Sequence, residues 1–225
     1  MSQVEQFIDA SSSEPAVRGF LHRPTSSTRD GVVLTHGAGA NCQTPLLVGL
    51  ADALCASGMM VLRYDLPFRQ LRPKGPPPPG SAGSDQLGLR SAASSMRKLV
   101  SNRVFLGGHS YGGRQATMLA ASDAGWAEEE VQGLLLLSYP LHPPKRPHEL
   151  RTSHFPKILT PGLFIHGERD GFGSIDEMAA ALQLIPARTE LLPITGAGHE
   201  LISGKTKNIV AESIAEIFRK FFPQE

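Results

Sequence analysis

Short apolar runs alternate with helical patterns along most of the chain. Residues 31–36 (GVVLTH), 59–64 (MMVLRY), 103–107 (RVFLG), 132–138 (QGLLLLS) and 162–166 (GLFIH) are near-continuous apolar runs. Such runs suit strands buried on both faces of a sheet. Between them the period changes to that of a helix. Residues 45–57 carry Leu47, Leu50 and Leu54 on one stripe, with Thr44 as cap, Pro45 in the first turn and Gly58 past the end. Residues 86–100 place Leu89, Ala92, Met96 and Leu99 on one face, and residues 111–121 follow as a third helix. Ser174 and Glu177 form a capping box that opens another. The last helix, residues 208–222, aligns Val210, Ile214, Ile217, Phe218 and Phe221. Residues 188–192 fit an edge strand, and the stretch around 16–21 fits outer antiparallel strands.

Strands separated by helices predict an α/β fold, a mostly parallel twisted sheet with helices on both faces. No repeat and no linker interrupts the alternation, so residues 1–225 are expected to form one domain. The low-complexity stretch, residues 66–84, holds four successive prolines flanked by glycines and is expected to be a long, stiff surface loop. Arg63, Arg69, Arg72 and Lys74 cluster around it. They are expected to be a solvated basic loop, the alternative being contacts to an anionic substrate.

Composition narrows the function classes. The 225 residues are 40% hydrophobic, enough for a full core without a staple or metal. Lys+Arg number 22 against 21 Asp+Glu, a formal net charge of +1, which argues against a general nucleic-acid or membrane-surface binder. Neither Cys42 nor Cys55 sits in a C-x-x-C or Cys/His cluster, so both are expected as reduced thiols. His142, His148 and His154 show no metal-ligand spacing. The polar start of the chain has no signal-peptide pattern, and no apolar run could span a bilayer. A cytoplasmic protein without metal or cofactor, acting on a small-molecule or acylated substrate, is expected.

Gly108-His109-Ser110-Tyr111-Gly112 is a G-x-S-x-G sequence between an expected strand and an expected helix, the context of a nucleophile elbow with Ser110 at its tip. A serine needs a base, and His199 in the glycine loop Gly196-Ala197-Gly198 is the candidate. The base needs a carboxylate to fix its tautomer. Asp170, on the loop after residues 162–166, is chosen over its rival Glu168, while Asp176 reads as a first-turn helix charge. The resulting order, Ser then Asp then His, is that of an α/β hydrolase. The oxyanion would be held by the amide of Tyr111 and by one from His36-Gly37-Ala38-Gly39. Ala38 is preferred, Gly39 is next, and His36 anchors the loop.

Nearly the whole chain resembles the α/β-hydrolase superfamily in its compact dienelactone-hydrolase-like form. The stretches LTHGAGAN, VLRYDLPF, GGHSYGGR, FIHGERDGFG and GAGHEL are similar to a narrower group, the hydrolase-like domain family of the KANSL and testis-expressed-protein type. The resemblance implies the fold and a serine-hydrolase triad at Ser110, Asp170 and His199. Some relatives in that group serve in larger assemblies. Ala40 departs from the second glycine expected after HGAG. The expected activity is hydrolysis of a carboxylic ester or thioester through an acyl-enzyme. The alternative is a non-catalytic interaction module on the same fold. Only residues 139–161 separate two strands where a lid is commonly inserted, room for one short helix near 149–154 and for no cap domain.

Overall fold

The computed structural model describes residues 3–10, 15–25, 29–122, 124–202 and 207–223. Among these residues eight strands form one sheet: β1 (Gln3–Asp9), β2 (Val17–Arg23), β3 (Gly31–Thr35), β4 (Met60–Tyr64), β5 (Val104–His109), β6 (Gly133–Leu137), β7 (Gly162–Gly167) and β8 (Thr189–Ile194). Their order across the sheet is β1-β2-β4-β3-β5-β6-β7-β8. The pairs β1–β2 and β2–β4 are antiparallel and the others parallel. Strands β3 to β7 are buried at every position, as their unbroken apolar character requires.

Helices α1 (Pro45–Ala56) and α7 (Lys207–Phe221) cover one face; α3 (Ala82–Arg97) and α4 (Tyr111–Ser122) cover the other. Two apolar cores result. One gathers Leu47, Leu50, Leu54, Phe105, Ile165, Ile214 and Phe218; the other gathers Leu62, Leu89, Met96, Leu106, Leu119, Leu136 and Phe164. Thr44 caps α1, accepting from the Leu47 amide, and Gly58 at φ 94° follows its end. The box at Ser174 and Glu177 opens α6 (Ile175–Leu182). A short α5 (Ala124–Glu130) leads into β6.

Two expectations are corrected. Residues 66–84 are not one surface loop: α2 (Pro67–Leu71) forms at once, and α3 begins at Ala82. Pro67 suits a helix first turn, and Phe68 is buried, donating its amide to Asp85 Oδ1 at 3.1 Å. The exposed proline segment is therefore confined to residues 72–81. Nor are all four basic residues around it solvated, because Arg63 and Arg69 are each 5% exposed. The Arg63 guanidinium lies over the Phe20 ring and donates to His22 Nε2 and the Cys42 carbonyl. Between β6 and β7 the one helical element is a 3₁₀ turn at Phe155–Lys157, just after the position expected, and no lid domain is present.

β3 lies between β4 and β5, so the chain leaves β3 toward one edge and later turns back to fill the other. At such a reversal the loops at the carboxyl ends of the strands open a crevice where ligands bind. The turns after β3 and β5 meet there.

Candidate active site

β5 passes into α4 through Ser110, whose φ of 52° is left-handed. Such a backbone is unfavourable for a residue with a Cβ, and here it turns the side chain off the sheet edge. The turn is held by the Ser110 amide, which donates to the Leu137 carbonyl at 2.8 Å, and by the Gly112 amide, which donates to the His36 carbonyl at 3.2 Å. Only glycine fits at 112, since a Cβ there would come within 2.7 Å of the His36 oxygen.

The three residues singled out from the sequence meet at this point. His199 Nε2 is 2.9 Å from Ser110 Oγ, and His199 Nδ1 is 2.8 Å from Asp170 Oδ2 and 3.0 Å from Oδ1. A carboxylate only accepts, so Nδ1–H is the donor to Asp170 and Nε2 is left to accept from the Ser110 hydroxyl. The Asp170 side chain is fully buried and takes the Phe172 amide at 2.9 Å. Burial by itself would raise the Asp170 carboxyl. The His199 hydrogen bond and charge, the Phe172 amide and nearby His166 outweigh it and hold the group below the usual carboxylate range. Glu168 is occupied elsewhere, accepting from the Thr195 hydroxyl at 3.1 Å and the Gly196 amide at 2.9 Å.

After β3, the Ala40 amide donates to the Gly37 carbonyl at 3.1 Å, closing a turn with Ala38 and Gly39 at its corners. Ala40 has no positive φ, so alanine fits where a glycine was expected. His36 is buried and anchors the turn: its Nδ1–H donates to the Gly37 carbonyl at 2.8 Å, while Nε2 accepts the Leu66 amide at 3.2 Å. Burial lowers its pKa, which keeps the ring neutral and able to play both parts. A Cβ on Gly37 would lie 3.5 Å from the Ser110 Cβ, so this turn runs directly against the elbow. Phe68 packs edge-on against His36 at 5.6 Å and against Tyr111 at 5.7 Å, which puts α2 beside both segments.

The alpha/beta hydrolase domain family matches the chain over residues 28–222. The chain belongs to this family. The hydrolase fold is also found in solved structures of low sequence identity. A dienelactone hydrolase from Anabaena variabilis is 24% identical with a TM-score of 0.75, covering 97% of this chain and 98% of its own. Est1E from Butyrivibrio proteoclasticus is 15% identical with a TM-score of 0.74, covering 98% and 99%. A serine hydrolase without lid from Xanthomonas campestris is 16% identical with a TM-score of 0.72, covering 100% and 96%.

Several residues of this hydrolase's site carry no signature in the sequence. His109, buried, donates from Nε2–H to the His199 carbonyl at 2.8 Å, and Phe172 stacks on the His199 ring with centroids 4.3 Å apart. Asp85 is fully buried in α3 and accepts the Tyr111 hydroxyl at 2.7 Å; burial pushes its pKa up against that bond. Arg69 donates to the carbonyls of Ala38 and Ala40. For His109, Phe172 and Arg69 the sequence hint is position, within a few residues of the elbow or of a strand's carboxyl end; Asp85, inside α3, has none. Among the described residues no cluster of three His, Cys, Asp or Glu could hold a metal, and no helix is long and apolar enough to cross a membrane. A groove of about 880 Å³ between α1 and α7 is lined by Asp52, Ala53, Ala211 and Ala215 among others, and by none of Ser110, Asp170 or His199.

Proposed function

We propose that the protein is a serine hydrolase of carboxylic esters or thioesters. The observation that carries this reading is the continuous hydrogen-bonded path from Ser110 Oγ through the His199 ring to a buried Asp170. Ser110 attacks the acyl carbonyl while His199 Nε2 takes its proton. Asp170 holds His199 in the Nδ1–H tautomer and stabilises the imidazolium that forms. The amides of Tyr111 and Ala38 receive the oxyanion, with Gly39 the neighbouring donor. His199 then protonates the leaving group, and water, deprotonated by the same ring, releases the acyl chain. The reaction as written needs no cofactor.

The narrower kinship with the KANSL and testis-expressed-protein type rests on the five motif stretches alone. Two buried cysteines, neither in a disulfide, fit a reducing, cytoplasmic setting. A single domain built from the whole chain fits the one continuous sheet.

A fluorophosphonate probe read by mass spectrometry, with an ester and thioester panel and Ser110→Ala as control, tests the proposal. Labelling at Ser110 that is lost in His199→Ala supports it. A folded protein inert to several such probes and to the panel overturns it in favour of an interaction module.

A further inference from the structure

Arg69 is a buried cation whose described hydrogen bonds all go to backbone carbonyls. Nε donates to Ala40 at 2.6 Å, one Nη to Arg72 at 2.9 Å, and the other Nη to Ala38 at 2.9 Å and Gly75 at 2.8 Å. Two of these acceptors belong to the turn after β3, and two to the proline-rich segment after α2. A guanidinium presents five donors in a rigid plane, which is why one side chain can fasten both segments.

We propose that Arg69 is a positioning residue that holds the turn carrying the oxyanion amides and directly sets the Gly39 N–H; this rests on the hydrolase reading. In a trans peptide the C=O and N–H point in opposite directions. Arg69 holds the Ala38 carbonyl, so the Gly39 N–H of the same peptide points away from the guanidinium. The preceding peptide is set from the other side, because the Gly37 carbonyl takes His36 Nδ1–H and the Ala40 amide, which fixes the Ala38 N–H. The positive guanidinium at the Ala38 oxygen also polarises the Ala38–Gly39 peptide, strengthening the Gly39 N–H as a donor. The same fork joins the proline-rich segment to the turn, so the two keep one spacing.

Arg69→Lys and Arg69→Gln test the assignment. Lysine keeps the charge and loses the fork; glutamine loses both. Active sites are first counted by fluorophosphonate burst, and kcat and KM for a short-chain p-nitrophenyl ester are then expressed per labelled site. The expected result is a fall in kcat of about 10- to 100-fold, less than the about 10²- to 10³-fold for losing an oxyanion donor outright, because the donor is displaced and not removed. KM and the midpoint of the pH profile should hold, and the inhibition constant of an alkyl boronic acid should rise in step with the fall in kcat/KM. Unchanged kcat per site, with only the number of sites or the melting temperature reduced, overturns the assignment. If neither variant folds, ¹⁵N NMR of the wild type decides. Boronate binding should move the Gly39 or Ala38 amide proton downfield together with the Arg69 Nε–H, and an unmoved Arg69 signal overturns the assignment. A wild type that neither labels nor turns over overturns the hydrolase reading, and this one with it. An active wild type matched by its variants overturns this one alone.

Discussion

His109 holds His199: its Nε2–H reaches the His199 carbonyl at 2.8 Å, and the two rings sit 5.1 Å apart. The residue before Ser110 thus fixes the backbone of the residue whose ring faces Ser110, and the Ser110–His199 spacing is set on both sides of the contact. Misplacing a reacting group by about 1 Å can cost about 10²-fold. His109→Ala is therefore expected to lower kcat/KM by about 10- to 100-fold, with Ser110 still labelled slowly by fluorophosphonate. His109→Gln, which can still donate to that carbonyl, should recover part of the loss.

Asp170 and Glu168 lie two residues apart and should respond very differently. Asp170→Asn keeps the shape but presents an amide that can donate to His199 Nδ1 and favour the wrong tautomer, so kcat should fall by about 10⁴-fold. Glu168→Gln touches only the Thr195 and Gly196 bonds, and kcat should stay within about threefold, the side chain being exposed to water. Steady-state kinetics on one ester measures both.

The buried strands and the elbow were legible because continuous apolar runs and a glycine-flanked serine impose their conformation locally. So was the meeting of Ser110, Asp170 and His199, since parallel strands deliver all their carboxyl ends to one edge. α2 was not legible: five residues carry no helical period, and Pro67 beside a proline-rich stretch reads as loop. The burial of Arg69 was hidden for a related reason. A basic residue in a basic, proline-rich segment looks solvated until the carbonyls it serves, 29 and 31 residues earlier, are folded against it. Asp85 and His109 likewise owe their roles to partners supplied by other elements.

Ser138 offers a stability test. It has a φ of 49°, is fully buried, and its hydroxyl finds no hydrogen-bond partner among the described residues. Ser138→Gly removes both the left-handed strain and the unsatisfied hydroxyl, and should stabilise the protein by about 1 kcal/mol. In a chain of this size that raises the melting temperature by about 2–4 °C, readable by calorimetry. An unchanged or lower value counts against the idea that the position is strained.

Burial lowers the pKa of His22, His36, His109, His154 and His166, with His22 and His154 brought down to about 4. In the unfolded chain these rings take up protons near 6.5, before the folded chain does. Stability should therefore fall as pH drops from about 6.5 to about 4. His22 is almost wholly buried, and its share is on the order of 3 kcal/mol. Asp170, held low, is lost in the same direction at still lower pH; Asp85, held high, opposes it. Melting temperature against pH should show the decline, and His22→Gln should flatten it.

With no lid between β6 and β7, little apolar surface is available to wrap a long acyl chain, although each buried CH₂ would be worth about 0.8 kcal/mol. Values of kcat/KM over esters from about two to sixteen carbons should peak at short chains. A steady rise to the longest would reveal an apolar tunnel.

Among the described residues β8 is the last strand of the sheet, paired with β7 alone, and the turn after it carries His199. Ser110, 89 residues earlier in sequence, directly follows β5 in the interior of the sheet. An edge strand opens at a lower free energy than the centre of a sheet. On gentle heating or in mild denaturant His199 is therefore expected to depart before the turn at Ser110 opens. The proposed hydrolase is disarmed before it melts, and its loss of turnover should precede loss of secondary structure along the same denaturation curve.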